Sequence, residues 1–257
     1  MKTVFKFILF ALFISSHSAF AKEVDQEISI VLLIGQSNMA GQGKIEDQDT
    51  VPIPGVLKLT SHYFWTPARD PLGSDKPREF GVGPGREFAR ALLEAQPNAR
   101  VGLVSAAVGN TNLQQWMPGG RLYNRAILRL RMAQRSGKLV AILWHQGESD
   151  SNNEARAKVY AKKWVIMMRQ LRKDARAPDV PILVGTLGDY LDKPYAGAIN
   201  EEIRRLPTMM QNVSVVPATG LTERGDGVHF DSKSQREFGR RFAKAFLTIN
   251  PDWADHR

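Results

Sequence analysis

The chain has 257 residues, 43% of them hydrophobic and 24% charged, a composition that supports one sizeable folded core. Its formal charge of +9 is scattered along helical patterns with no basic run and no ladder of aromatics, so no nucleic-acid partner is expected. It has no cysteine, which excludes a thiol nucleophile, a thiolate metal site and a disulfide framework.

Lys2 and Lys6 flank an apolar run from Phe7 to Ile14, and Ala19-Phe20-Ala21 follows after a short polar stretch. A charged end, a short apolar region and an Ala-x-Ala site together predict a secretory signal peptide over residues 1–21, cleaved after Ala21. The run is well short of the roughly 20 residues that span a bilayer, so no stable membrane insertion is expected after cleavage. The mature chain, 22–257, then carries +7, and the expected location is secreted or periplasmic.

Ile30 to Ile34 is uninterrupted and apolar, which suits a strand buried on both faces. It breaks at Gly35, and Ser37 follows in a turn of small residues. A serine at the carboxyl end of a strand, just before a helix, is held out of the core, and the first N–H groups of the helix are placed to receive an oxyanion.

Residues 44–83 are proline-rich and irregular, with Val56–Leu59 as a candidate short strand; Tyr63 and Trp65 either wall a site or anchor the excursion. A helix is predicted from Gly85 to about Gln96, a strand over 101–104, a helix over 122–134 and a strand over 139–144. A long amphipathic helix over 154–173 should turn Val159, Trp164, Ile166, Met167 and Leu171 inward. Strands over 181–184 and 213–216, a helix over 199–206, and a final helix over 232–246 with Phe238, Phe242 and Phe246 as its core stripe complete the chain. Five apolar strands alternating with helices predict a five-stranded parallel sheet covered on both faces, in one domain.

In such a sheet the chemistry gathers beyond the carboxyl ends of the strands. Three strands end in polar or small clusters: Gly35-Gln-Ser-Asn38, Gly109-Asn-Thr111 and His145-Gln-Gly-Glu148. Past the last strand comes Asp226-Gly-Val-His229, three apart on one turn, where the aspartate is able to accept the Nδ1 proton while Nε2 reaches a serine. Gly43-Lys44 lacks the glycine and hydroxyl of a phosphate loop, and Gly81-x-Gly83-x-Gly85 follows no strand, so neither is a nucleotide site. The histidines lack ligand spacing with carboxylates; no metal and no cofactor are expected.

Taken together, Gly-Gln-Ser-Asn-Met (35–39), Gly-x-Thr (109–111), Trp-His-Gln-Gly-Glu-Ser (144–149) and Asp-Gly-Val-His-Phe (226–230) resemble the ordered blocks of the SGNH (GDSL-like) hydrolase superfamily. More narrowly they resemble its sialate O-acetylesterase-like domain and carbohydrate esterase family six, over essentially the whole mature chain. The resemblance implies a three-layer, flavodoxin-like α/β/α sandwich, with Ser37 as nucleophile, His229 as base and then acid, and Asp226 as its orienting partner. It also implies an oxyanion hole made by the Ser37 N–H, an N–H near Gly109 and the side-chain amide of Gln146. Two features depart from the pattern. Gly109-Asn110-Thr111-Asn112 replaces a more usual Gly-Gly-Thr-Ser, and Gln146 stands where the wider superfamily has asparagine.

Asn38, Asn110, His145, Glu148 and Trp116 fall into supporting or substrate-lining positions. His145 reads as a hydrogen-bonded support, Glu148 as buried beside the nucleophile turn, Asp150 as a helix cap, and Trp116 as either a sugar contact or packing. The expected function is a secreted serine esterase acting on O-acetylated carbohydrate: acetylated xylan, pectin or sialic acid. The rivals are a short-chain hydrolase of non-sugar esters and a glycan-binding member of the fold that no longer catalyses.

Overall fold

The apolar run at 30–34 is the middle of strand β1 (Ile28–Gly35), which lies at the centre of the sheet. The computed structural model describes residues 27–73 and 80–255; the predicted signal peptide lies outside them. After β1 come α1 (Ser37–Ala40), α2 (Asp47–Thr50), β2 (Val56–Leu59), β3 (Trp65–Pro67), α3 (Gly85–Ala95) and β4 (Val101–Ser105). A 3-10 turn (Leu113–Trp116), α4 (Arg121–Ala133), β5 (Gly137–His145), α5 (Glu154–Lys158) and α6 (Tyr160–Asp174) follow. Then come β6 (Ile182–Gly185), α7 (Ala196–Met209), β7 (Val213–Val216) and α8 (Ser232–Ile249), followed by a second 3-10 turn (Pro251–Asp255).

The sheet order is β3-β2-β4-β1-β5-β6-β7. Every neighbouring pair is parallel except β2 and β3, which are antiparallel. The sheet therefore has seven strands where five were expected. The two additions are both at one edge. There β2 is the candidate strand at 56–59, whereas β3, short and part-exposed with Thr66 paired to Lys58, has no continuous apolar run to mark it.

Successive residues of β1 point to opposite faces, and the burial follows that period. Ile30, Leu32 and Ile34 join a core with residues of α4, α6 and α7, whereas Val31 and Leu33 join one with Phe88 of α3 and the Phe238, Phe242 and Phe246 stripe of α8. Three layers result.

The helix expected to run unbroken from 154 to 173 is instead α5 and α6, separated at Val159. Trp164, Met167 and Leu171 are buried as anticipated, but Val159 and Ile166 are exposed. In the excursion after α1, a Cβ on Gly102 of β4 would meet the ring of Trp65 at 2.6 Å, so this tryptophan lies on the sheet as an anchor.

Between β4 and β5, β1 sits where the chain changes direction across the sheet. The carboxyl ends of those three strands are neighbours, and they carry the three polar clusters. A site at this switch point is what open parallel sheets provide.

Candidate active site

The nucleophile turn is built by close approach. Gly35 has φ +133°, and a Cβ there would overlap the carbonyl of His145 on the neighbouring strand. That approach lets Gln36 N–H donate to His145 O (2.9 Å), ending β1 and starting α1 at Ser37.

Across 192 residues of sequence, Ser37 Oγ lies 2.9 Å from His229 Nε2. His229 Nδ1 is 2.7 Å from Asp226 Oδ2, and Asp226 Oδ1 accepts from the backbone N–H groups of His229 (2.8 Å) and Val228 (3.0 Å). A carboxylate on Nδ1 fixes that nitrogen as the N–H donor, so Nε2 presents its lone pair to the serine hydroxyl. Partial burial raises the Asp226 carboxyl, but hydrogen bonds from the His229 ring, His229 N–H, Arg224 and Val228 N–H outweigh it and hold the group well below the usual carboxylate range. Arg224 reaches Asp226 Oδ2 from Nε (2.7 Å) and Gln42 O from Nη1 (2.8 Å), tying the histidine loop to the chain beyond α1.

Ser37 and His229 border a cavity of about 780 Å³, whose lining includes Gln36, Gly109, Asn110, Glu148 and three cations: Arg121, Arg125 and Lys193. A Cβ built on Gly109 would lie 3.6 Å from Ser37 Cβ, so this backbone is beside the nucleophile. Asn110 is exposed in the left-handed region (φ +55°), which asparagine tolerates better than most residues.

The Gln146 amide is not where it was expected. It is fully buried, and its Nε2 donates to Asp150 Oδ2 (2.6 Å), Thr111 O (3.0 Å) and Gln36 Oε1 (3.3 Å), while Oε1 accepts from Tyr160 Oη (3.1 Å). Every polar atom is engaged, which leaves nothing for an oxyanion. Gln36 was missed. Its Oε1 accepts from Gln146 Nε2 and from the Ser149 N–H (3.3 Å), which fixes which end of the amide is oxygen. Its Nε2 has no protein acceptor among the described residues, and the side chain lines the cavity. The residue was visible in the Gly-Gln-Ser-Asn block, but its direction was not.

Asp150 is no helix cap. It is buried, accepts from Gln146 and from Leu113 N–H (2.9 Å), and burial raises its carboxyl. The cap of α5 is Asn153. Trp116 is core: 1% exposed, it packs edge-on against Trp144 at 5.7 Å and donates from Nε1 to Thr111 Oγ1 (3.0 Å). His145 is the buried support anticipated, with Nε2 3.1 Å from Thr186 O. Glu148 is buried beside the nucleophile turn, bonded through the Asn38 side chain rather than the backbone (2.7 Å).

A family model described as carbohydrate esterase, sialic acid-specific acetylesterase, matches residues 27–248. A probable carbohydrate esterase of Arabidopsis thaliana is 33% identical over 242 residues, which is 85% of this chain and 90% of that protein. An X-ray structure of an Arabidopsis thaliana protein superposes with a TM-score of 0.80 at 30% identity, covering 86% of this chain and 98% of the other. The crystal structure of NanS (TM-score 0.75, 19% identity, 88% and 98% covered) shares the fold. So does a carbohydrate acetylesterase from Xanthomonas citri (TM-score 0.65, 18% identity, 86% and 56% covered).

Proposed function

Because this chain belongs to the sialic acid-specific acetylesterase family of carbohydrate esterases, and so is a carboxylic ester hydrolase, we propose that it removes O-acetyl groups from carbohydrate through Ser37, His229 and Asp226. The observation that carries the reading is the unbroken chain Asp226 Oδ2 to His229 Nδ1 (2.7 Å) and His229 Nε2 to Ser37 Oγ (2.9 Å) at the cavity wall.

Ser37 Oγ attacks the acetyl carbonyl carbon as His229 Nε2 takes its proton; Asp226 stabilises the imidazolium. The carbonyl π electrons move to oxygen, which is held by the N–H groups of Ser37 and Gly109 and by Gln36 Nε2, each such donor being worth about 3 kcal/mol. Collapse breaks the bond to the sugar oxygen, which leaves with the proton from His229. Water, deprotonated by the same nitrogen, then attacks the acetyl-serine; the bond to Ser37 Oγ breaks, Oγ takes the proton back from His229, and acetate is released. Arg121, Arg125 and Lys193 in the lining favour a carboxylated sugar over a neutral one. Residues 1–21 export the chain and are removed, which places the enzyme outside the cytoplasm with its glycans.

The test is acetate release by the mature chain from Lys22 and by its Ser37→Ala variant, on acetylated xylan, acetylated pectin and O-acetylated sialic acid. Release by the parent should fall at least about a thousandfold in the variant. Equal release by both would sink the Ser37 mechanism. If no glycan is deacetylated yet a fluorophosphonate labels Ser37, the enzyme acts on non-sugar esters.

A further inference from the structure

Behind Asn38 lies a pair of buried titratable groups that the reaction above does not use. His145 ends β5 and Glu148 follows three residues on; they are 1% and 2% exposed. The His145 ring packs against Phe230 and Phe238, with centroids 5.7 and 5.3 Å away. Its Nε2 lies 3.1 Å from the carbonyl oxygen of Thr186. A carbonyl can only accept, so Nε2 carries the hydrogen.

That assignment turns the other nitrogen into the problem. Nδ1 faces Glu148 Oε1 at 3.6 Å, and neither Nδ1 nor Glu148 Oε2 has a hydrogen-bond partner among the described residues. A neutral imidazole and an ionised carboxylate would place a lone pair against an anion in a buried site, an arrangement that burial makes costly. One proton between the two removes the conflict and makes the pair neutral overall. The surrounding groups supply no alternative. Lys193 Nζ bonds the backbone carbonyl of Glu148 (3.0 Å), Tyr160 donates to Gln146, Tyr190 bonds Val228 O (3.3 Å), and Asp150 is committed to Gln146 and Leu113.

Glu148 Oε1 accepts from Asn38 Nδ2 (2.7 Å). The same nitrogen donates to Val228 O (3.1 Å), and Asn38 Oδ1 accepts from Phe230 N–H (3.0 Å). Val228 and Phe230 flank His229, and Asn38 follows Ser37. One amide therefore holds the peptide on both sides of the base to the residue next to the nucleophile. We propose that His145 and Glu148 share a single proton and, through Asn38, set the position of His229 against Ser37. All three are positioning residues, and the inference rests on the Ser37–His229 reading above.

The experiment measures kcat and KM on nitrophenyl acetate, the rate of Ser37 labelling by a fluorophosphonate, and thermal unfolding, for Glu148→Gln, Glu148→Ala and Asn38→Ala. Both contacts fall on Glu148 Oε1, so the Glu148→Gln oxygen keeps the Asn38 bond while the side chain, like the protonated pair, puts no net charge beside His145. This variant should keep kcat, labelling rate and pH profile within about threefold of the parent. The two alanine variants should stay folded and lose about a hundredfold in kcat with KM little moved, as expected for a misplaced base. A Glu148→Gln enzyme as slow as Glu148→Ala would overturn the shared proton, and a folded Asn38→Ala enzyme at the parental kcat would overturn the positioning role. Should an alanine variant not fold, Glu148→Gln decides alone: a folded enzyme whose kcat falls more than about threefold below the parent overturns the shared proton. Ser37→Ala is run beside them: if it stays active the esterase reading has failed, whereas a dead Ser37→Ala with a slow Glu148→Gln fails this inference only.

Discussion

Gln36 and Gln146, 110 residues apart, share one hydrogen bond that gives them opposite roles: Gln146 Nε2 donates to Gln36 Oε1 at 3.3 Å. The donor is thereby drawn into the core, and the acceptor is left with its own Nε2 to offer the cavity.

Gln36→Ala should therefore lower kcat by about 10²–10³ with little change in KM, because an oxyanion donor acts on the transition state. Gln146→Ala should act first on stability, by about 1–3 kcal/mol, since it leaves buried Asp150 short of a donor. Steady-state kinetics and thermal unfolding of both variants check this; a Gln36→Ala enzyme with unchanged kcat would remove Gln36 from the oxyanion hole.

Asp226 is held ionised across the working range by its donors. No limb of the rate profile from Asp226 should appear between about pH 4 and 9. Asp226→Asn should cost about 10²–10⁴ in kcat by disturbing the imidazole tautomer and leaving the imidazolium unsupported. A kcat profile against pH for parent and variant tests both statements.

Away from the cavity, burial pushes the Asp70 carboxyl up to about 7, against the Arg86 guanidinium 3.6 Å away and helped by the Asp49 carboxylate. The folded value lies above the unfolded one near 4, so the native state binds more protons across that interval. Stability contributed by this group is present below about pH 4 and is lost as pH rises to about 7. Asp70→Asn mimics the protonated form, so its Tm relative to the parent should climb from pH 4 to pH 8. A Tm difference independent of pH would show that Asp70 does not titrate in this window.

Two glycines separate fold from chemistry. Gly35→Ala forces a Cβ into the His145 carbonyl at a positive φ and should destabilise by about 3 kcal/mol or more, or prevent folding. Gly109→Ala meets Ser37 Cβ at 3.6 Å, an ordinary contact, so the variant should fold. Its methyl narrows the acetyl site, and kcat/KM should fall about 10- to 100-fold. Circular dichroism and kinetics on the pair distinguish the two outcomes.

If the cavity cations select acidic sugars, Arg121→Ala and Lys193→Ala should raise KM for a carboxylated acetyl-sugar and leave a neutral one unchanged. Added salt should weaken the same preference in the parent. Equal KM changes on both substrates would count against charge recognition.

Features set by neighbours in sequence were readable without a fold. The Ile30–Ile34 strand follows from an apolar run, and Asp226 meets His229 because a three-residue spacing in a tight loop brings their side chains together. The wide helical stripes of α3, α4 and α8 were equally plain. The tertiary structure decided whatever depends on partners far along the chain. Edge strand β3 exists because β2, itself paired to β4, offers it hydrogen bonds and Gly102 offers a seat for Trp65, neither of which leaves an apolar signature. The amide that faces the cavity was likewise beyond reach of spacing. Gln36 and Gln146 have the same chemistry and both border the serine turn, and only the donors and acceptors brought by Asp150, Thr111 and Tyr160 pull one of them inward. Residue types carry the chemistry of a site, while the direction of a buried side chain is set by which distant polar atoms it must satisfy.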